Sequence, residues 1–270
     1  ALLESMMVVP FNDLDAVEET LSAYNHRIAA VIVEPMMNAG GLVPPRPGYL
    51  AGLRELADKY GVLLVFDEVV TFRLSLGGWQ VLDGVRPDIT ALGKIIGGGF
   101  PVGAIGGRAE IMELFNPTRS DGLRHSGTYN GNSVTMVAGI ATLKRYGQSE
   151  IDRLNRLGDR LRQEITAAFD AHDLCVNVTG RGSLVYIHWT AGEIVTAVDA
   201  ARAAKDAGQL LMLLQLGLLI EGIWLPYRGE LALSTPMTGH ETGRAIEALH
   251  TVLGTLKPYV EEVAPHLLQT

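Results

Sequence analysis

Only one cysteine, Cys175, occurs in the 270 residues, so no disulfide can form within the chain, and the expected setting is a reducing cytoplasm. Aromatic residues are few, at 6%, and basic residues do not dominate: 22 Lys and Arg stand against 30 Asp and Glu, a net charge of −8. A nucleic-acid binder would carry a basic face, so no nucleic-acid partner is expected. Long apolar runs are missing too. The most apolar stretch, residues 210–225, is interrupted by Gln215 and Glu221 and falls short of the roughly 18 apolar residues a membrane helix needs, so no membrane partner is expected. It reads instead as a helix that gives way to a buried strand near Gly217. The seven histidines have no metal-ligand spacing, and no metal is expected. No basic start leads into an apolar core, so no signal peptide is read. The sequence opens without Met and close to a predicted strand end at residues 8–10, so a further segment upstream is expected.

What is present is an alternation. "NDLDAVEETLSAYNHR" reads as a helix with Asn12 or Asp13 as its cap. "IAAVIVEP" and "VLLVFDEV" are β-branched apolar runs of the kind found in buried parallel strands. Between them, "YLAGLRELADKYG" is an amphipathic helix closed by Gly61. "GNSVTMVAGIATLKRY" is a helix with small residues on one side. Strand, helix and strand with short connections indicate an α/β domain on a mostly parallel sheet. After about residue 150 the pattern changes to a long charged helix, with Ser149 as its cap, and then to short strands among surface helices. The expected division is therefore 1–150 for a large domain and 151–270 for a smaller α+β domain. Cys175 in "DLCVNV" reads as a small apolar strand residue, and His188 in "VYIHWT" as another strand residue.

Three places could carry chemistry. Asp67 ends the apolar run "LLVFD", and in open α/β sheets ligands gather at the carboxyl ends of strands. The plain alternative is that Asp67 or Glu68 caps the turn that follows; either way a carboxylate closing so apolar a strand needs a partner. Glu34 ends the neighbouring run and points the same way. Lys94 stands in "ALGKIIGGGFPVGAIGG". A nucleotide phosphate loop would place its glycines before the lysine and Ser or Thr after it, and here the order is reversed. A solvated loop lysine is the plain alternative. The other reading is an amine among Leu92, Ile95 and Ile96, made nucleophilic toward a carbonyl by desolvation, with glycines that let a flat ligand approach. The third place is "HSGTYNGNS", residues 125–133, whose hydroxyls and free N–H groups before a helix suit a phosphate; an ordinary capped turn is the plain alternative. A carboxylate for a ring nitrogen, an amine for a carbonyl and a phosphate site together call for a phosphorylated aromatic aldehyde, and pyridoxal 5'-phosphate satisfies all three.

The segments "VIVEPMMNAGGLVPP", "YGVLLVFDEVVTFR", "PDITALGKIIGGGFPVGAIGG" and "HSGTYNGNSVTMVAG" resemble the class III pyridoxal-phosphate-dependent aminotransferases of fold-type I, in the family's order. The resemblance implies that 1–150 is the C-terminal part of the large cofactor domain and that a phosphate loop and a ring-stacking aromatic lie upstream. It implies that Lys94 forms the Schiff base with the cofactor, Asp67 keeps the pyridine nitrogen protonated, Val69 packs on the ring, and Thr128 reaches the cofactor phosphate of a neighbouring subunit in a homodimer with shared sites. Glu34 would support the site, and His125 would contact substrate. The stretch "GIWLPYRGELALSTPMT" looks more like transaminases acting on β-amino acids such as β-phenylalanine, in which an arginine at the position of Arg228 binds a carboxylate; a surface salt bridge is the plain alternative for Arg228. Glutamate-1-semialdehyde aminomutase, close in its glycine-rich segment, is the second reading, and an inactive or incomplete subunit of the same fold is the third. The expected partners are an amino donor and a keto acid, with the cofactor passing through its pyridoxamine form.

Overall fold

The computed structural model describes residues 5–269. Their contacts fall into two units, taken separately here. The first gathers Asp13–Pro35 and Pro45–Ile151; the second gathers Pro10–Asn12, Met36–Pro44 and the chain from Asp152 onward.

The first unit is α/β. Helix α1 (Leu14–Tyr24) precedes strand β1 (Ala30–Val33), helix α2 (Tyr49–Tyr60) and strand β2 (Leu63–Asp67). A short helix α3 (Trp79–Asp83), strands β3 (Ile89–Gly93) and β4 (Gly103–Gly107), and helices α4 (Ala109–Met112) and α5 (Ser133–Arg145) follow. The sheet order is β1-β2-β3-β4, with the first three strands parallel and β4 antiparallel. Leu64 and Phe66 of β2 are fully buried, and the α2 stripe of Leu50, Leu53 and Ala57 is buried with them. Gly61 ends α2 in a left-handed conformation, as its sequence position suggests, and its N–H donates to the carbonyls of Ala57 and Asp58. Asp13, not Asn12, caps α1, accepting from the Ala16 N–H at 2.9 Å. Residues 8–10 form no strand: Val8 is exposed, and these residues have no ladder partner among the described strands.

One carboxylate ties the lower edge of this sheet together. Asp88 directly precedes β3 and is buried. It accepts from the Leu64 N–H at 2.7 Å, from Arg54 on α2 at 2.8 Å and from Arg108, just after β4, at 2.9 Å. Burial alone would raise its pKa; the Leu64 N–H and the two guanidiniums outweigh that and hold it at about 2. Gly107 is required here, since a Cβ on it would stand 2.3 Å from the Asp88 carbonyl oxygen.

The second unit holds helix α6 (Gln148–Asp170) from Asp152 onward, strands β5 (Asn177–Arg181) and β6 (Leu184–His188), helices α7 (Ala197–Ala207) and α8 (Leu210–Ile220), strand β7 (Glu230–Ala232) and helix α9 (Gly239–Val263). Its sheet is antiparallel, in the order β5-β6-β7. Ile151, Leu154, Leu161, Ile165 and Phe169 make the buried stripe of α6, which begins one residue before Ser149. The expected strand after Gly217 is absent. Gly217 lies inside α8, where a Cβ would stand 2.5 Å from Val252 of α9; the glycine permits a helix contact instead of ending a helix. Cys175 is half-buried in the turn before β5, outside any strand, with its N–H donating to the Leu267 carbonyl. The loop 36–44 docks on this sheet: the Gly41 carbonyl accepts from the Thr179 hydroxyl at 2.5 Å and lies 3.0 Å from His188 Nε2. Burial pushes the His188 imidazole down, toward its neutral form. No single described helix is long and apolar enough to cross a membrane; α7 and α8 pass that test only together, across a 72° bend.

Asp88→Asn is expected to lose about 2–4 kcal/mol of stability at pH 7, because buried donors lose their charged acceptor. The carboxylate's contribution is complete above pH 3.8 and is lost as the pH falls toward about 2. Urea unfolding at pH 7 and across pH 4 to 2 should therefore show the difference from wild type narrowing in acid.

Candidate active site

Alternation along β2 puts Leu64 and Phe66 on the buried face and leaves Asp67 half-buried on the other. Asp67 Oδ1 accepts from the Val69 N–H at 3.0 Å, which closes the turn after the strand. Its Oδ2 takes no hydrogen bond from any described residue. Glu68 points the opposite way and is fully buried. It accepts from the Trp79 N–H at 2.5 Å, the Gln80 N–H at 3.3 Å and the Thr71 hydroxyl at 3.1 Å. Burial pushes this carboxyl up, and the bonds from Trp79 and Gln80 hold it back. Both adjacent acids thus accept backbone N–H groups, Asp67 in the turn that follows and Glu68 at the start of α3, and Asp67 is the one with an unused oxygen.

Lys94 follows β3 directly, and β3 runs parallel beside β2 with Ala91 opposite Asp67. Both residues therefore stand at carboxyl ends of neighbouring strands. Glu34 joins them: Val33 pairs with Phe66, so Glu34 stands beside Asp67 in register. Val69 packs against the backbone just before the lysine, since a Cβ on Gly93 would stand 3.3 Å from its Cγ1. The Lys94 ammonium makes no ion pair or hydrogen bond among the described residues. Leu92, Ile95 and Ile96 are half-buried, but Lys94 itself is exposed. The apolar neighbours pack into the protein and the amine does not.

The expected phosphate loop is differently arranged. Asn132 caps α5, accepting from the Val134 and Thr135 N–H groups at 3.1 and 3.2 Å, so two of the donors counted as free are already used. His125 sets its ring edge-on to Phe115, 5.8 Å away. With Val102, Tyr129 and Met136 it lines a cleft of about 730 Å³. Thr128 is exposed, and neither it, Asp67 nor Lys94 lines this cleft. Arg228 belongs to the second unit. Its Nε donates to the Tyr227 hydroxyl at 2.9 Å and its guanidinium lies 5.4 Å from that ring. Among the described residues it has no ion-pair partner, so the salt bridge weighed from sequence does not form. Val102 had no signature in the sequence: it fills the space left by Gly97, where a Cβ would stand 2.7 Å from it, and a valine among glycines reads only as core.

The sequence model of the family described as "Aminotransferase class-III" matches residues 4–220. A β-phenylalanine transaminase of Variovorax paradoxus is 41% identical over 249 residues, which are 92% of this chain and 56% of that protein. A solved β-phenylalanine aminotransferase from the same organism superposes with a TM-score of 0.88 at 39% identity, over 93% of this chain and 58% of that one. A glutamate-1-semialdehyde 2,1-aminomutase of Natranaerobius thermophilus is 42% identical over 208 residues, 76% of this chain and 48% of that protein. A transaminase solved with PLP bound has a TM-score of 0.83 at 32% identity, over 94% of this chain and 58% of that one. The chain thus spans about half the length of the curated relatives it matches.

Removing each of the two adjacent carboxylates should have opposite consequences. Glu68→Ala strands two buried donors and one half-buried donor and is expected to cost about 2–4 kcal/mol in urea unfolding. Asp67→Ala strands one half-buried N–H and is expected to stay within about 1 kcal/mol of wild type. Equal losses would make both residues structural.

Proposed function

Because the chain belongs to the class-III aminotransferases, we propose that it moves an amino group between a small amino compound and a keto acid, with pyridoxal phosphate as the carrier. One observation carries this reading: a carboxylate oxygen, Asp67 Oδ2, and an amine, Lys94 Nζ, stand at the ends of adjacent strands with no partner among the described residues. The residues fit the cofactor in kind. Asp67 Oδ2 can accept a pyridinium N–H, Lys94 can meet an aldehyde, and Val69 offers an apolar side chain between the two strand ends. When bound, pyridoxal phosphate supplies an aldehyde that condenses with amines and a ring that draws off their electrons.

The chain's own residues do the rest. Lys94 holds the cofactor until an amino donor displaces it. The freed Nζ would take the proton from the donor's amine-bearing carbon and hand it to the carbon on the other side of the amine nitrogen. Asp67 keeps the ring nitrogen protonated through both halves of a ping-pong cycle, in which the donor leaves as a keto product before the keto-acid acceptor enters. Thr128 would reach the phosphate of the partner protomer's cofactor, which makes the working unit a homodimer, and Glu34 would support the site beside Asp67. In the division proposed here, residues 1–150 are the latter part of the cofactor domain and 151–270 the small domain, in a cytoplasmic enzyme.

Arg228 has no acid partner among the described residues, so its guanidinium is available to a substrate carboxylate. That supports a β-amino acid as donor, with His125 as a further substrate contact. The aminomutase reading draws on the comparable likeness to the Natranaerobius protein.

Visible spectra with added pyridoxal phosphate, then borohydride reduction and peptide mapping, test the reading; a label on Lys94 is expected, and its absence would favour an inactive subunit. Lys94→Ala should lower turnover by about 10³-fold or more. Arg228→Ala should raise KM for a β-amino acid about 10- to 100-fold with little change in kcat. Conversion of glutamate-1-semialdehyde without any added keto acid would instead mark an aminomutase.

A further inference from the structure

Lys94 has φ +48°, a left-handed backbone that is unfavourable for any residue with a side chain and persists only where the surroundings fix it. On its upstream side β3 acts as a rail: Gly93 pairs with Gly103 of β4 and lies against Val69. On its downstream side stands α5. A Cβ on Gly139 would lie 2.2 Å from the Ile96 carbonyl oxygen and 3.7 Å from the Gly97 Cα. A Cβ on Gly98 would lie 2.4 Å from the Ala138 carbonyl oxygen. Backbone thus rests directly on backbone, with no side chain between to yield.

Helix α5 cannot easily retreat. Asn132 caps its first turn, and past its other end the Tyr146 hydroxyl donates to the Arg73 carbonyl at 3.1 Å. A turn held between a hydrogen-bonded strand and a pinned helix has its slack in the two residues between them, Lys94 and Ile95, and of these Lys94 carries the left-handed backbone. A methyl group added at position 139 would push on Ile96, and the displacement would be taken up in the Lys94 dihedrals.

We propose that Gly139 is a positioning residue for Lys94: its missing side chain sets how closely α5 approaches the turn, and so fixes the backbone that aims the amine. The inference rests on the reading of Lys94 as the cofactor lysine. It also gives the small face of α5 a purpose beyond helix packing.

The test compares wild type, Gly139→Ala and the control Gly243→Ala, where an added Cβ meets nothing within 4 Å. Two quantities are read: the pyridoxal phosphate concentration that half-labels Lys94 under borohydride, and the rate at which acetic anhydride acylates Lys94 relative to exposed Lys205 in cofactor-free protein. Gly139→Ala is expected to raise the first about tenfold or more and to change the second about threefold, while Gly243→Ala changes neither. A folded Gly139→Ala protein that matches wild type in both overturns the inference. If Gly139→Ala does not fold, Tyr146→Phe releases one end of α5 and should raise the half-labelling concentration about threefold; an unchanged value overturns the inference. If wild type is labelled elsewhere than Lys94, the cofactor reading itself falls, and this inference falls with it.

Discussion

Asp88 is the fixed point from which the chemistry-bearing edge of the first sheet is measured. Its buried carboxylate takes bonds from α2, from β2 and from the residue after β4, while its own backbone starts β3. A buried charge is tolerable only when its partners are all in place, so the arrangement admits one register and opposes others. That register puts Ala91 opposite Asp67 and sets Lys94 three residues further on. A slip of one residue would turn the side chain at position 67 to the other face of the sheet and remove its relation to the lysine.

The same alternation separates two duties across one peptide bond. Glu68 faces inward and spends both oxygens on Trp79, Gln80 and Thr71. Asp67 faces outward and spends one oxygen on its own turn. The fold is thereby secured without the acid that carries the proposed chemistry. Gly78 makes this possible, since a Cβ there would stand 2.5 Å from both Glu68 carboxylate oxygens.

Much of this was legible in the residues themselves. Apolar β-branched runs ending in carboxylates gave the parallel strands, and Asp67 and Lys94 stand, as their positions suggest, at the ends of neighbouring strands. What stayed hidden depends on partners far away in sequence. Gly217 reads as a helix end because glycine often is one; only the presence of Val252 reveals it as a contact point. The exposure of Lys94 could not be inferred from Leu92, Ile95 and Ile96, because apolar neighbours along the chain need not be neighbours in space. Asn132 looked like part of a phosphate loop, yet it already occupies the N–H groups that such a loop would offer. Arg228 is an example in the other direction: sequence left a salt bridge open, and its surroundings provide a tyrosine instead.

The loop 36–44 lies in sequence between β1 and α2 but folds onto the second unit's sheet. On a ribosome this imposes a delay. The Gly41 carbonyl has its partners in Thr179 and His188, 138 and 147 positions later. At about 5–20 residues per second, roughly 7–30 s pass between the synthesis of the loop and that of His188. Until then the loop is a tethered strap, and Val43, buried in the finished fold, lacks Ile194 and Ala203, which pack with it and are made later still. The second unit is therefore closed by a segment made well before its own strands.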